Sequence, residues 1–90
     1  MTNWPDWWSW EIESSEHVRK RMLDRHFNET DLRFMLEEAS SFALSLEPGR
    51  WIAITSRAGR PWKVVLEPNV SKGIVVVVTA FAVRKKGLGT

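Results

Sequence analysis

The chain contains no cysteine. It can therefore form no disulfide, no thiolate nucleophile and no cysteine-ligated zinc site. Long apolar segments are lacking too, because the longest run, residues 74–83, is about half a membrane span and includes Thr79. The first residues carry Asp6 and Glu11 where a signal peptide would have basic residues. We expect a cytoplasmic protein that does not associate with membranes.

The sequence has little room for more than one hydrophobic core. Its 90 residues are 43% hydrophobic and 27% charged, which is typical of one small globular domain. We expect residues 1–90 to form this domain, with a tryptophan-rich N-terminal arm over 1–9 and a basic flexible tail over 84–90. A domain of this size buries only roughly two thirds of its unfolded surface. Its stability should be modest, and a bound partner or a homodimer would raise it.

Motifs for metal and nucleotide chemistry are missing. The chain has no zinc-protease helix motif, no glycine-rich phosphate loop and no carboxylate cluster suited to a metal. Its two histidines, His17 and His26, are nine residues apart and would face opposite sides of an ideal helix. The sequence therefore predicts no metal and no other cofactor, so its own side chains would carry any reaction.

The N-terminal half carries one strand pattern and two helix patterns. Apolar and polar residues alternate over Trp8–Ile12, which predicts a half-exposed strand. A helix is predicted to begin at Ser14 or Ser15, whose hydroxyl can accept the first backbone amides, and to end near His26. A second helix is predicted after Asn28, because apolar residues then repeat with helical spacing at Leu32, Met35, Leu36 and Ala39.

From Arg50 onward the pattern is that of β structure. β-branched and aromatic residues dominate Trp51–Ser56 and Pro61–Glu67, and the segment between them predicts a tight hairpin turn. The run Ile74–Val83 is apolar on both faces, which predicts a strand with neighbours on both sides. We expect an α+β fold in which two N-terminal helices pack on one face of a twisted, mainly antiparallel four-stranded sheet, in the order β-α-α-β-β-β. The predicted core comprises Val18, Met22, Leu32, Leu36, Ile54, Val64, Val76 and Val78.

Positive charge is concentrated in two parts of the chain, although the whole carries only +2. Residues 51–90 hold seven basic residues and one acidic residue, and residues 14–28 hold four basic and two acidic residues. Such clustering indicates a surface that binds a polyanion such as RNA. The alternative is a solvated face with a solubilising tail. The candidate RNA-binding residues are Arg25, Arg60, Arg84, Lys85 and Lys86.

A candidate catalytic set comes from the same regions. His17, Arg21 and Arg25 recur every fourth residue and would form one polar stripe on a helix. A histidine, several cations and a hydroxyl can cleave RNA without a metal, by deprotonating the 2′-OH, stabilising the phosphate and protonating the leaving oxygen. Each residue alone also has a plainer interpretation, as a solvated histidine or an ordinary strand threonine. The candidate catalytic residues are His17, Arg21, Arg57, Lys63 and Thr79.

Four segments of the chain resemble one family of bacterial proteins. They are His17-x3-Arg21-Met22-x2-Arg25, Asp31-Leu32-x3-Leu36-Glu37, Gly59-Arg60-Pro61-Trp62-Lys63-Val64 and Val77-Val78-Thr79-Ala80-Phe81. The chain resembles, from Trp10 to Val83, the BrnT-like and RelE-like toxins, which are grouped with barnase, EndoU and colicin-type ribonucleases. The resemblance implies an α+β ribonuclease fold in which His17 and Arg21 face Arg57, Lys63 and Thr79. Phe81 stands where similar sequences often have a tyrosine.

The sequence leaves two functions open. The first is a metal-independent endoribonuclease, acting as a toxin or effector that cleaves RNA by 2′-OH attack and is neutralised by a protein inhibitor or antitoxin. The second is a noncatalytic module on the same fold that binds nucleic acid or protein. Trp4 and Trp7, if exposed, are candidate partner-binding residues, because tryptophan dominates interface hot spots. Trp8 and Trp10 are expected to extend the core.

Overall fold

A computed structural model describes residues 5–83 of the chain. The fold is α+β, with two helices and one mixed five-stranded sheet. Neither helix in residues 5–83 is long and apolar enough to cross a membrane. A short 3-10 helix at Asp6–Ser9 is followed by β1 (Glu11–Ser14), α1 (Glu16–Arg25), α2 (Glu29–Glu37), β2 (Ser41–Leu44), β3 (Trp51–Arg57), β4 (Arg60–Asn69) and β5 (Ile74–Ala82).

The strands lie in the order β1-β5-β4-β3-β2. Strands β2 to β5 form antiparallel pairs, whereas β1 pairs with β5 in parallel. Strand β5 therefore has neighbours on both sides, which confirms the prediction from its continuous apolar run. A bulge leaves Val78 between the pairs Leu66–Val77 and Val65–Thr79.

The two faces of the sheet differ in what packs on them. Along β4, Trp62, Val64 and Leu66 are buried, and the residues between them belong to the other face. Both helices contribute to the same core as these three residues, through Val18, Leu32, Met35 and Leu36, and Phe27 of the segment between the helices joins them. We term this the helix-covered face of the sheet and the opposite one the open face.

Both helices begin at residues whose side chains cap them. The Ser15 hydroxyl accepts a hydrogen bond from the Val18 amide (3.1 Å) and donates one to the Val78 carbonyl (2.8 Å). These bonds hold the start of α1 against β5. At α2, Asn28 and Asp31 form a reciprocal capping box between their side chains and backbone amides. Helix α1 ends at Arg25, one residue before its cap residue His26, in agreement with the predicted end near His26.

The sheet has five strands rather than the predicted four, because the sequence pattern does not reveal β2. That strand has four residues, three of them exposed, and pairs only with β3. So short a segment shows no clear alternation of polar and apolar residues. The first strand is also shifted, since Trp8 belongs to the 3-10 helix and β1 begins at Glu11.

The predicted core is half correct. The structure buries Val18, Leu32, Leu36 and Val64. The other four are only half-buried, namely Met22, Ile54, Val76 and Val78. Ile54 and Val76 pair with Lys63 and Glu67 on the open face, and Val78 lies in the bulge. An apolar run such as β5 does not reveal which of its two faces a helix covers.

The turn between β3 and β4 holds an alanine in a strained conformation. Ala58 and Gly59 both have positive φ, 54° and 78°, as a two-residue type I′ turn requires. Asparagine tolerates this left-handed region better than alanine does. Ala58→Asn should therefore raise the free energy of unfolding by about 0.5–1 kcal/mol in urea denaturation. Ala58→Val should lower it, and equal stability of all three proteins would contradict this account of the turn.

Candidate nucleic-acid interface

One end of the domain carries a groove of about 560 Å³ between the C-terminal part of α1 and the β3–β4 turn. Four arginines line it, and we term it the arginine groove. Its polar and aromatic lining residues are Arg21, Asp24, Arg25, His26, Arg57, Arg60, Trp62 and Phe81. The excess of guanidinium groups over the one carboxylate makes the groove basic.

Two local geometries bring these arginines together. Arg21 and Arg25 are about one turn apart on α1 and project from the same side of the helix. Arg57 and Arg60 are directly opposite each other in the β3–β4 register. Arg60 alternates in phase with the buried Trp62, so this pair lies on the helix-covered side of the sheet. The hairpin and the helix therefore direct their arginines toward one another.

Arg57 also joins the two helices to the sheet. Its Nη2 donates to the Asp31 carboxylate and to the His26 carbonyl, both at 3.4 Å. Its guanidinium carbon lies 5.9 Å from the centre of the Phe27 ring, within the range of a cation–π contact. These contacts connect the end of β3 to the end of α1 and the start of α2. Arg57 therefore has a structural role besides its charge.

The other three arginines of the groove are not used in this way. The ion pairs within residues 5–83 involve only Arg50 and Arg57 among the cations. No carboxylate of the described residues therefore lies within salt-bridge distance of Arg21, Arg25 or Arg60. Their guanidinium groups retain their donors for an external anion, and arginine binds phosphate oxygens through paired hydrogen bonds.

His26 is the site residue that the sequence analysis misses. From the sequence, His26 is expected only to face the side of an ideal helix opposite to His17. In the structure α1 ends at Arg25, and His26 adopts a left-handed backbone conformation with φ of 57° and ψ of 53°. In this conformation it lines the arginine groove. Helices commonly end with a left-handed residue, and His26 ends α1 in this way. The only available signal was its position at the predicted end of the helix.

His17 lies elsewhere on α1. It is exposed, in the first turn of the helix, and it is not among the residues that line the arginine groove. The hydrogen bond from the Ser15 hydroxyl to the Val78 carbonyl places this first turn beside the part of β5 that contains Thr79. The structure therefore places His17 near the strand of Thr79, one of its predicted partners, but outside the groove that Arg21 and Arg57 line.

Lys63 and Thr79 do not lie on one surface with Arg57, although the sequence predicts that they do. Thr79 pairs with Val65, and Lys63 pairs with Phe81, so both belong to the open face rather than to the helix-covered side with Arg57. The reason is the strict alternation along β4, in which Lys63 lies between two buried residues. The Thr79 hydroxyl is buried and has no hydrogen-bond partner among residues 5–83. Of the five candidate catalytic residues, only Arg21 and Arg57 line the arginine groove.

Trp7 and Trp8 pack in an aromatic cluster of the domain itself. The Trp7 ring lies 5.5 Å from Trp8 and 5.7 Å from Trp51, and Phe42 contacts Trp8 and Trp51 at 5.6 and 5.4 Å between ring centres. Trp7 is therefore half-buried rather than a freely exposed anchor, and it packs against the core together with Trp8 and Trp10. Trp4, Arg84, Lys85 and Lys86 lie outside the described residues.

A second groove, of about 700 Å³, lies between the 3-10 helix and α2. Its lining includes two tryptophans, Trp8 and Trp10, and the charged residues Asp6, Arg33 and Glu37. Two carboxylates and one guanidinium give this groove mixed charge. A phosphate chain is therefore better matched by the arginine groove.

Comparison with protein-family models, with curated proteins and with solved structures finds no match to this chain. Within residues 5–83, no group of three or more histidine, aspartate and glutamate side chains could hold a metal ion. Any functional assignment therefore rests on the geometry of this molecule and on the sequence resemblance.

The two hairpin arginines should differ in what they contribute to stability. Arg57→Ala removes the contacts to Asp31, to the His26 carbonyl and to Phe27, and should lower the free energy of unfolding by about 1 kcal/mol. Arg60→Ala removes no such contact and should change it by less than about 0.5 kcal/mol. Urea denaturation of both variants checks this difference, and an equal loss would contradict the bridging role of Arg57.

Proposed function

We propose that this protein binds single-stranded RNA through the arginine groove. The observation that carries this proposal is the convergence of four arginines from α1 and the β3–β4 hairpin, three of them without an ion-pair partner among residues 5–83. Phosphate contacts of this kind supply most of the sequence-independent affinity for a nucleic acid. The positive charge of the C-terminal half of the sequence supports the same assignment.

The size of the groove favours a single strand over a duplex. Its volume, about 560 Å³, is that of a small-ligand pocket and suits a few splayed nucleotides better than a double helix. Guanidinium planes can stack on unpaired bases while their N–H groups bind phosphates. The resemblance to RelE-like and BrnT-like proteins supports RNA as the polymer.

A second proposal, favoured by the position of His26, is metal-independent cleavage of the bound RNA. Imidazole is the side chain suited to proton transfer near neutral pH, and here it lies among cations that can stabilise a phosphorane-like transition state. One group takes the proton of the 2′-OH as its oxygen attacks phosphorus, and the departing 5′ oxygen receives a proton. The products are a 2′,3′-cyclic phosphate and a 5′-hydroxyl. His26 can perform one of these transfers and water the other.

On this second proposal the protein is an endoribonuclease toxin or effector. It would act in the cytoplasm, where its RNA substrate is found, and a protein antitoxin would neutralise it. An inhibitor with an acidic segment would match the charge of the arginine groove.

RNA binding is tested by comparing two arginines of α1. Arg21→Gln removes a guanidinium of the groove and should weaken binding of a fluorescent single-stranded RNA by about fivefold to tenfold. It should also reduce the slope of log affinity against log salt by about 1. Arg19→Gln is the matched control, because Arg19 is exposed on the same helix but does not line the groove. Equal losses in both variants would show diffuse charge attraction and contradict the proposed site.

Cleavage is tested by incubating the protein with RNA in EDTA. Cleavage should be undiminished by the chelator and should spare RNA with 2′-O-methyl groups, because the attacking oxygen is then blocked. His26→Asn keeps a residue that tolerates positive φ and should lower the rate at least about 100-fold. His17→Asn is the matched control and should leave the rate unchanged.

Two other outcomes would contradict the cleavage proposal. Loss of cleavage in His17→Asn alone would move the proton-transfer role to the start of α1 and contradict the assignment to His26. If Arg21→Gln weakens RNA binding and Arg19→Gln does not, but the bound RNA stays intact, the result would support the noncatalytic binding module and contradict the ribonuclease.

A further inference from the structure

The open face of the sheet is apolar at its centre, and neither helix packs on it. Ile52, Val65 and Thr79 follow one another across β3, β4 and β5 in the cross-strand register. Ile54 and Val76 extend the apolar surface on either side of this row, and all five are half-buried. Open sheet faces in water usually carry polar residues, so an apolar one indicates a contact surface.

Charged residues are arranged on both sides of the apolar row. Toward the β3–β4 turn, Lys63 lies between Ile54 and Phe81 in the register. On the other side, Glu67 pairs with Val76, which pairs with Glu13 of β1. Lys63 and Glu67 thus lie two residues before and two residues after Val65 on β4. Arg50 donates from Nε to Glu67 at 3.0 Å and holds this carboxylate in place.

We propose that the open face binds a second copy of the same chain, with the two sheets packed face to face about a twofold axis that crosses the strands at Val65. Such an axis reverses strand direction and places each strand over its own counterpart, as in aligned sheet packing. Val65 then meets Val65 of the other copy. Lys63 of each copy meets Glu67 of the other, so the surface is complementary in charge to itself.

The size of the face suits this occupant. Five strands spaced about 4.8 Å apart, with a mean length of about seven residues, give roughly 550 Å² per copy and roughly 1,100 Å² in total. Specific interfaces between proteins begin at about this area. A partner of different sequence would gain nothing from the reciprocal placement of Lys63 and Glu67, whereas a second copy gains two ion pairs.

The dimer leaves the proposed RNA site accessible. The arginines of the groove lie on the helix-covered side, and the twofold axis places the two grooves at opposite ends of the dimer. Phe81 borders both surfaces. The dimer and the RNA site can therefore be tested separately.

Sedimentation velocity from 1 to 200 μM tests the proposal with charge reversals. The parent protein should form a dimer in this range. Lys63→Glu and Glu67→Lys each turn two attractive contacts into two repulsive ones and should each raise the dissociation constant by about 100-fold. An equimolar mixture of the two variants should dimerise again, because every contact then joins opposite charges.

Two matched variants control for charge and for loss of a local ion pair. Lys20→Glu changes an exposed lysine of α1, on the other side of the sheet from the open face. Glu47→Lys breaks a second carboxylate contact to Arg50, but from the loop before β3 rather than from the open face. Both should dimerise like the parent, and urea denaturation should confirm that all four variants fold.

Three results would overturn the proposal. They are a monomeric parent at 200 μM, dimers that the single reversals leave intact, and a mixture of reversals that stays monomeric. If the parent is monomeric and Lys63→Glu weakens RNA binding as strongly as Arg21→Gln, the open face binds RNA instead. The RNA proposal is tested by comparing RNA binding of Arg21→Gln with that of Arg19→Gln. Either proposal can therefore fail while the other holds.

Discussion

The pairing of β4 on both sides is the constraint on which the rest of the molecule depends. Strand β3 bonds to one edge of β4 and β5 to the other, so the side chains of β4 must alternate between two fixed faces. Trp62, Val64 and Leu66 fill the core beneath the helices, and the residues between them form the centre of the open face. A slip of one residue would exchange these sets and expose the core. The same register places Arg60 opposite Arg57 and brings both toward α1.

The arginine groove forms where α1 ends, α2 begins and β3 ends. Helix α1 stops at Arg25 because His26 turns left-handed, and α2 starts at once with the Asn28 capping box. The resulting corner presents the His26 carbonyl and the Asp31 carboxylate to Arg57. These contacts give Arg57 a structural role, and the other three arginines remain available to a ligand. Stability and binding are thus served by different arginines of one cluster, which is why their substitutions should have different effects.

Much of the fold could be predicted from sequence because the signals are local. Ser14 or Ser15 and Asn28 mark helix starts, the segment between Trp51–Ser56 and Pro61–Glu67 marks a tight turn, and the run of β5 marks a strand with two neighbours. Strand β2 could not be predicted, because four residues are too short for a clear periodic pattern and the strand pairs only with β3. The site was harder to predict. Arg21 and Arg57 share the groove, but the position of His26 depends on one backbone conformation, and the face of Lys63 and Thr79 depends on which side of the sheet the helices cover.

The central proposal is that the arginine groove, at the C-terminal end of α1, binds RNA while the open face does not. The most direct measurement is a titration of ¹⁵N-labelled protein with a short single-stranded RNA, followed by amide chemical shifts. The account predicts that the largest changes lie at residues 21–26 and 57–60, with little change at Ile52, Val65 and Val76. Changes centred on Lys63 and Thr79, with the groove unaffected, would contradict it.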